Sequence, residues 1–510
     1  MRLGCLMEGT FVVHAAMLWG ITARLVTVEV DMTNGLPGVT IVGRPDSSVG
    51  ESRTRVRCAL RSAGFEVPRK NVVVNLAPAE MRKEGTAFDL PIAVAILGAT
   101  GQIPTDGLQE CLLVGELSLE GEVRPVRGML AYADLARSQG LELVGPPEAS
   151  PGRVRSGARR FISSLGELSR GVRALPTAAA LVAGAEPPAA PAEDFADIAG
   201  QEIAKRALAV AVAGRRGILM VGPPGVGKTM LARRVPALLP PLTPDEAHEV
   251  ELLYSVAGVE DARVAAGLRP FRAPHHSSTV PGILGGGRPV HPGELSLAHR
   301  GVLFLDELAE FGNTTLQALR QPLEEHLVRV TRVEGTYTFP GDVLLVAASN
   351  PCPCGHLGDT GKGCTCSEVA VRAYRSKLGG PLLDRVAMMV TLERPDPRCV
   401  MGRGPATSTA QLRDLVERGR AFAAWRTAHD EGPRRGGGVA EALERDAFGD
   451  AARACLETFA RRGALSVRVM ASTASVARTV ADVEESPEVG EGHVLEALSY
   501  RLGGGLDGTV

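Results

Sequence analysis

The sequence predicts a multidomain α/β protein: an N-terminal α+β domain, a core built on a parallel sheet, and an all-α C-terminal region. Three observations carry this. The chain has 510 residues, and at about 150 residues per domain that leaves room for two to four. Short, fully apolar runs alternate with helical stretches through its middle, the pattern of a parallel sheet covered by helices. From about residue 400 onward only helical periodicity remains.

The elements follow in order. In residues 1–173, the segments 23–32, 39–43, 71–78 and 111–119 read as strands, rich in Val, Ile and Thr and bounded by Asn-Gly and Pro-Gly turns. Segments 47–64 and 88–101 read as helices. Residues 174–192 are an Ala/Pro-rich linker without periodicity. The core, 193–399, opens with a helix at 202–214 and a strand at 217–222, and two further apolar strands follow at 302–307 and 343–350. Residues 400–510 hold helices at 409–425, 450–463, 468–483 and 492–502, with a Gly/Arg loop at 432–438. The start of the chain, with Arg2 and the apolar stretch Phe11–Trp19, faintly resembles a secretory leader, but Glu8 and His14 interrupt it. No run of 18 apolar residues exists, so a cytoplasmic protein with no membrane partner is expected.

Composition narrows the function. A net charge of −2 excludes a wholesale electrostatic grip on nucleic acid, though not a local basic loop. At 4% aromatic residues, base-stacking platforms are not expected either.

The chemistry begins at Gly222. Gly222, Pro223, Pro224, Gly225, Val226, Gly227, Lys228 and Thr229 form a G-x-x-x-x-G-K-T loop between a buried strand and a helix. Glycines let backbone N–H groups converge on phosphates, and the helix N-terminus adds its dipole. Lys228 is expected on the β- and γ-phosphates of ATP, and Thr229 on magnesium. Asp306 and Glu307 end the apolar strand 302–307, where ligands of such sheets sit. Asp306 is expected to hold magnesium through water, and Glu307 to polarise the attacking water. Asn350, at the tip of the next strand, is placed to orient that water.

The order of the P-loop, the Asp-Glu strand, Asn350, LLDR and LSVR resembles the AAA+ ATPases of the magnesium-chelatase clade. GLPGVTIVGRPD, NLAPAEMRKEGTAFDLPIA, FRAPHH, PGELSLAHRGVLFLDEL, SNPCPCG and ARTVADV narrow the resemblance to the ComM/YifB family, over about Ala16 to Leu502. It implies an AAA+ P-loop core with a C-terminal helical lid, assembled as a homo-oligomer, a hexamer, that acts on single-stranded or branched DNA. ComM proteins are regarded as branch-migration helicases in recombination during natural transformation. By position, Asn350 resembles sensor 1, Arg385 the arginine finger that reaches a neighbouring subunit, and Arg468 sensor 2. The first 14 or so residues, the 430–445 region and the segment after LSVR depart from the pattern.

Residues 71–140 resemble the Lon-protease domain. Ala87 stands at the position of its nucleophilic Ser and Leu130 at that of its Lys, so neither nucleophile nor base is present and no peptidase activity is expected. Thr86 is adjacent but not aligned with the nucleophile.

Cys352, Cys354, Cys364 and Cys366 form two C-x-C pairs separated by nine residues. Four thiolates closing one loop suit a structural, tetrahedral zinc. His356 could replace one ligand, and an iron–sulfur centre or a metal-free redox loop are the alternatives. The expected role is to stiffen the subunit contact that aims Arg385. His275 and His276 are adjacent, a poor chelating pair, and a loop contact is expected of them.

Residues 324–349 read as a hairpin turning near Glu334-Gly335. It resembles the pre-sensor insertion of this clade, which projects into the ring pore, and offers Arg329, Arg332 and Tyr337 as DNA-tracking residues. Two rival readings remain: a chelatase-like motor for metal insertion and an ATP-driven protein remodeller.

Overall fold

A computed structural model describes residues 10–147, 158–177, 193–359, 361–378, 386–402, 406–429, 439–463 and 466–502. The leader-like stretch Phe11–Trp19 is a central strand. Its Val13, Ala15 and Met17 are buried at the period of two that a strand requires. It pairs antiparallel with Thr22–Thr33 and parallel with Cys111–Leu113. The resulting seven-stranded sheet runs Gly38–Val42, Asn71–Ala77, Thr22–Thr33, Phe11–Trp19, Cys111–Leu113, Glu142–Gly145, Arg159–Phe161.

Two helices pack on one face of this sheet, and a third, Met129–Gln139, covers the other with Met129, Tyr132 and Ala136. Ser47–Ser62 starts at Asp46, whose carboxylate accepts from Val49 N at 2.8 Å. Asp89–Ala99 is apolar on every face and buried throughout, as such a helix must be. Its one charge, Asp89, accepts from Arg55 Nε at 2.7 Å and from Leu117 N at 3.2 Å, and also from the Ser52 hydroxyl. Residues 174–177, read from composition as linker, belong to this body: Leu175 fills a core position and Phe161 N donates to Pro176 O at 2.9 Å. Residues 178–192 lie outside the described residues.

The second body is a five-stranded parallel sheet in the order Phe271–Arg272, Val302–Leu305, Leu344–Ser349, Gly217–Val221, Val386–Thr391. Its side chains divide between two cores. Ile218, Met220, Phe304 and Val346 pack with the helix Glu202–Ala213 on one face. Leu219, Leu303, Leu305 and Ala347 pack with Val250 and Leu253 of the helix Pro244–Ala257 on the other. The C-terminal helices Thr409–His429, Val467–Val483 and Glu491–Leu502 add Leu412, Val416, Val480 and Leu498 to the first core. The helical region therefore shares its core with the sheet.

The N-terminal body docks on the second through a hairpin, Leu327–Arg332 paired with Gly335–Pro340. Trp19 stacks on Tyr337 with ring centroids 4.6 Å apart, and the Arg24 guanidinium lies 4.2 Å from the Trp19 ring centroid. Arg82 pairs with Glu334 at 3.4 Å, and Asp134 meets His248 Nε2 at 2.6 Å. Gly128 N donates to Ser255 O at 2.8 Å. Among the described residues no helix is long and apolar enough to cross a membrane.

Candidate nucleotide site and four-cysteine loop

The chain leaves the strand Gly217–Val221 toward Phe271–Arg272 and Val302–Leu305 on one side, and leaves its neighbour Leu344–Ser349 toward Val386–Thr391 on the other. Between the two lies the crevice in which ligands of open parallel sheets sit. The loop Gly222–Gly227 fills it, and the helix Lys228–Arg234 follows. Two glycines are required by conformation: φ is +81° at Gly225 and +95° at Gly227. Gly222 is required by space, since a Cβ there would stand 2.6 Å from Leu392 O.

Five of the residues named from sequence converge. Lys228 Nζ donates to Gly222 O at 2.5 Å, Pro223 O at 3.0 Å and Asn350 Oδ1 at 3.0 Å. Burial pushes the Lys228 ammonium down to about 8, against the pull of Asp306 and Glu307. Thr229 Oγ1 donates to Asp306 Oδ2 at 2.9 Å, and Glu307 N donates to Asp306 Oδ1 at 3.0 Å. A hydroxyl and a carboxylate side by side are the hard oxygen donors that magnesium takes from protein, the remainder coming from water and phosphate. Glu307 has φ +51°, a left-handed backbone that turns its side chain out at the strand end.

His276 is the partner that sequence left open. Its Nδ1 lies 3.3 Å from Glu307 Oε2, while His275 bonds Ser277 Oγ at 2.8 Å. The rings of the two histidines are 4.0 Å apart. The paired histidines of FRAPHH were the sequence signal for this contact, but nothing in them named Glu307.

The remaining expectations separate. Arg468 pairs with Glu324 at 3.4 Å, an ion pair with the helix Arg320–Glu325. Arg385 lies outside the described residues. Tyr337, expected to track DNA, is buried against Trp19 because the hairpin face that carries it is the docking face. Arg329, on the opposite face, is exposed and paired with Glu325; Arg332 is exposed too, but by alternation it lies on the docking side, opposite Gly335 at the end of the hairpin. In the N-terminal body Ala87 and Leu130 are both buried, and Thr86 Oγ1 donates to Glu116 Oε2 at 2.5 Å.

The four cysteines come together. Their sulfurs lie within 4.8 Å of one another, and three of the separations are 3.4, 3.6 and 3.7 Å. Tetrahedral zinc at about 2.3 Å from each thiolate sets sulfurs roughly 3.8 Å apart, so the donor set fits. Backbone N–H groups of Thr365 and His356 lower the Cys354 thiol, while burial and the neighbouring sulfurs raise Cys364 and Cys366. The four sulfurs make a tetrahedral set without His356, whose Nδ1 is engaged by Asp359 Oδ2 at 2.9 Å.

A G-x-x-x-x-G-K-T loop, an Asp-Glu strand end and Asn350 at the tip of the next strand on one parallel sheet, with a helical region sharing its core, define a magnesium-chelatase-like AAA+ protein. Residues 194–399 match the family described as magnesium chelatase, subunit ChlI, residues 28–149 match subunit ChlI of Mg-chelatase, and residues 406–501 match the ChlI C-terminal family. Competence protein ComM of Haemophilus influenzae is 38% identical over 96% of this chain and 97% of its own length. YifB of Salmonella typhimurium is 38% identical over 96% of each. The chain belongs to the ComM/YifB family. The magnesium-chelatase 67 kDa subunit of Heliobacterium mobile is 30% identical over 32% of this chain and 29% of its own.

Proposed function

We propose that the chain is an ATP-hydrolysing ring motor on DNA, a branch-migration helicase serving homologous recombination during natural transformation. The observation that carries the ATPase reading is the meeting of Lys228, Thr229, Asp306, Glu307 and Asn350 at one end of the sheet. Full-length similarity to a competence protein supports the DNA reading.

Lys228 exchanges the Gly222 and Pro223 carbonyls for phosphate oxygens when ATP binds. Thr229 and Asp306 hold magnesium, which when bound neutralises phosphate charge. Glu307 takes the proton of the attacking water, Asn350 fixes that water beside the γ-phosphate, and His276 fixes the rotamer of Glu307. Arg385 reaches the site of a neighbour in a hexamer, and Arg468 acts as sensor 2 once the lid closes and the Glu324 pair opens. Arg329 and Arg332 face DNA. The four cysteines hold a structural zinc. The N-terminal body is Lon-like without peptidase chemistry, with buried Ala87 and Leu130 where a dyad would stand, and serves ring assembly or DNA guidance in the cytoplasm.

Steady-state ATPase with and without single-stranded and forked DNA tests this, with Lys228→Ala as the blank. Several-fold stimulation by DNA is expected. Glu307→Gln is expected to keep ATP binding and to lose roughly 100-fold or more in turnover. Robust hydrolysis indifferent to DNA would favour a protein remodeller, or a chelatase-like motor, which the family matches of residues 28–149, 194–399 and 406–501 also support.

A further inference from the structure

The four-cysteine loop packs on its own nucleotide loop at one place and is linked to it through intermediate residues at a second. The first contact is direct. Gly355, one residue past Cys354, has φ +82°, and a Cβ there would stand 2.9 Å from Pro224 Cδ and 3.8 Å from Asn350 Cγ. The backbone of the cysteine loop is thus packed on both the P-loop and the sensor residue. Gly355 N donates back to Cys352 O at 2.9 Å, so the packing surface belongs to the same turn that carries two of the sulfurs.

The second contact runs through Asp359. Its carboxylate accepts from Arg394 Nε at 2.6 Å and Arg394 Nη2 at 2.8 Å, from His356 and from Gly361 N at 2.9 Å. Arg394 beside it holds the carboxyl well below the usual range. Arg394 follows Glu393, whose carbonyl accepts from Gln201 Nε2 at 2.7 Å. The same Gln201 amide reaches Val226 O, in the P-loop, at 3.3 Å. The cysteine loop is therefore packed directly on Pro224 and linked through Arg394, Glu393 and Gln201 to Val226.

We propose that the four-thiolate centre is a wall of the nucleotide pocket, so that occupancy by its metal, zinc by donor set, controls the affinity for nucleoside triphosphate. The physical reason is local. Sulfurs 3.4–3.7 Å apart stay together as thiolates only around a cation. Without it the loop spreads, Gly355 leaves Pro224, and the P-loop loses the surface that holds its carbonyls and N–H groups in place. The coupling is reciprocal, so bound nucleotide also slows metal loss. This rests on the ATP-binding reading above, and the experiment separates the two.

The full-length chain is purified, and its zinc is counted by mass spectrometry. Zinc is then stripped with a chelator and replaced with cobalt(II), whose thiolate charge-transfer bands report the donor set. A fluorescent ATP analogue is titrated, in magnesium buffer, into zinc-loaded, stripped and zinc-restored protein. The expected result is one zinc per chain, and affinity that falls about tenfold on stripping, close to 1.4 kcal/mol, and returns with zinc. Asp359→Asn retains zinc and the cobalt spectrum but weakens the analogue several-fold, which a mere folding defect at the cysteines would not produce. Absence of zinc and of cobalt–thiolate bands after loading overturns the metal centre. Zinc bound with affinity indifferent to stripping overturns the coupling and leaves the ATP reading standing. Zinc-loaded protein that binds no analogue overturns both.

Discussion

Lys228 carries its charge where charge is costly. Its ammonium bonds to two carbonyls and an amide oxygen, and burial lowers it to about 8 from an ordinary 10.5. Below about pH 8 the ammonium is already charged when ATP arrives; above it the amine is neutral and binding has to take up a proton. ATP affinity is therefore expected to fall as pH rises through about 8. Calorimetry at about pH 9 in two buffers of different ionisation enthalpy would read the proton uptake, and affinity flat from about pH 7 to 9 would contradict it. The sign for stability is opposite. Between about 8 and 10.5 the unfolded chain binds the extra proton, so this residue favours the fold increasingly as pH rises across that window. Lys228, Thr229 and the Asp306-Glu307 pair were legible in the sequence because their geometry is local to one turn or one strand end. The contacts of His276 with Glu307 and of Arg394 with Asp359 were not, because each joins segments that meet only after the sheet has formed.

At the level of elements, apolar runs and turn residues were enough to read the phosphate-loop strand, the strands Val302–Leu305 and Leu344–Ser349, and the C-terminal helices. Several strands escaped, Val386–Thr391 beside the phosphate loop among them. Phe11–Trp19 is apolar enough to look like a leader, and its alternation shows only once its neighbours are known. Phe271–Arg272 is a two-residue edge strand, too short for any periodicity. The hairpin was legible as a hairpin but not in its orientation. Val328 and Val330 point inward with Tyr337 and Phe339, leaving Arg329, Thr331 and Arg332 exposed. Replacing Arg329 and Arg332 together by Glu is expected to weaken DNA binding and to reduce its salt slope by about one for each phosphate that is no longer neutralised. Fluorescence anisotropy across a salt series measures this; an unchanged slope would make the two arginines ordinary surface charge.

At the scale of the whole molecule, no body is free of the others. The helical region completes the core of the sheet, with Leu412, Val480 and Leu498 packed in one cluster with Ile218 and Val346. The N-terminal body grips the hairpin through Trp19 and Arg82 and the helix Pro244–Ala257 through Asp134. A stacked aromatic pair contributes about 0.5–1.5 kcal/mol beyond its buried area. Trp19→Ala is therefore expected to loosen the hairpin, raising its cleavage by protease and lowering DNA-stimulated hydrolysis while basal hydrolysis holds. Cleavage and stimulation both identical to the parent chain would show the dock to be passive. Composition could not reveal this arrangement, since Trp19 read as the end of a leader-like stretch and Tyr337 as a DNA-tracking residue in another domain.

The stack also gives the protein an optical label of its own. The chain has two tryptophans, Trp19 and Trp425. Trp19 is pressed between the Tyr337 ring and the Arg24 guanidinium, while Trp425 lies on the helix Thr409–His429. With Trp425→Phe, the emission colour and lifetime of the remaining indole become a readout of whether hairpin and N-terminal body are in contact. Any step that moves one against the other would then be visible as a change in light, in the unlabelled protein and in real time.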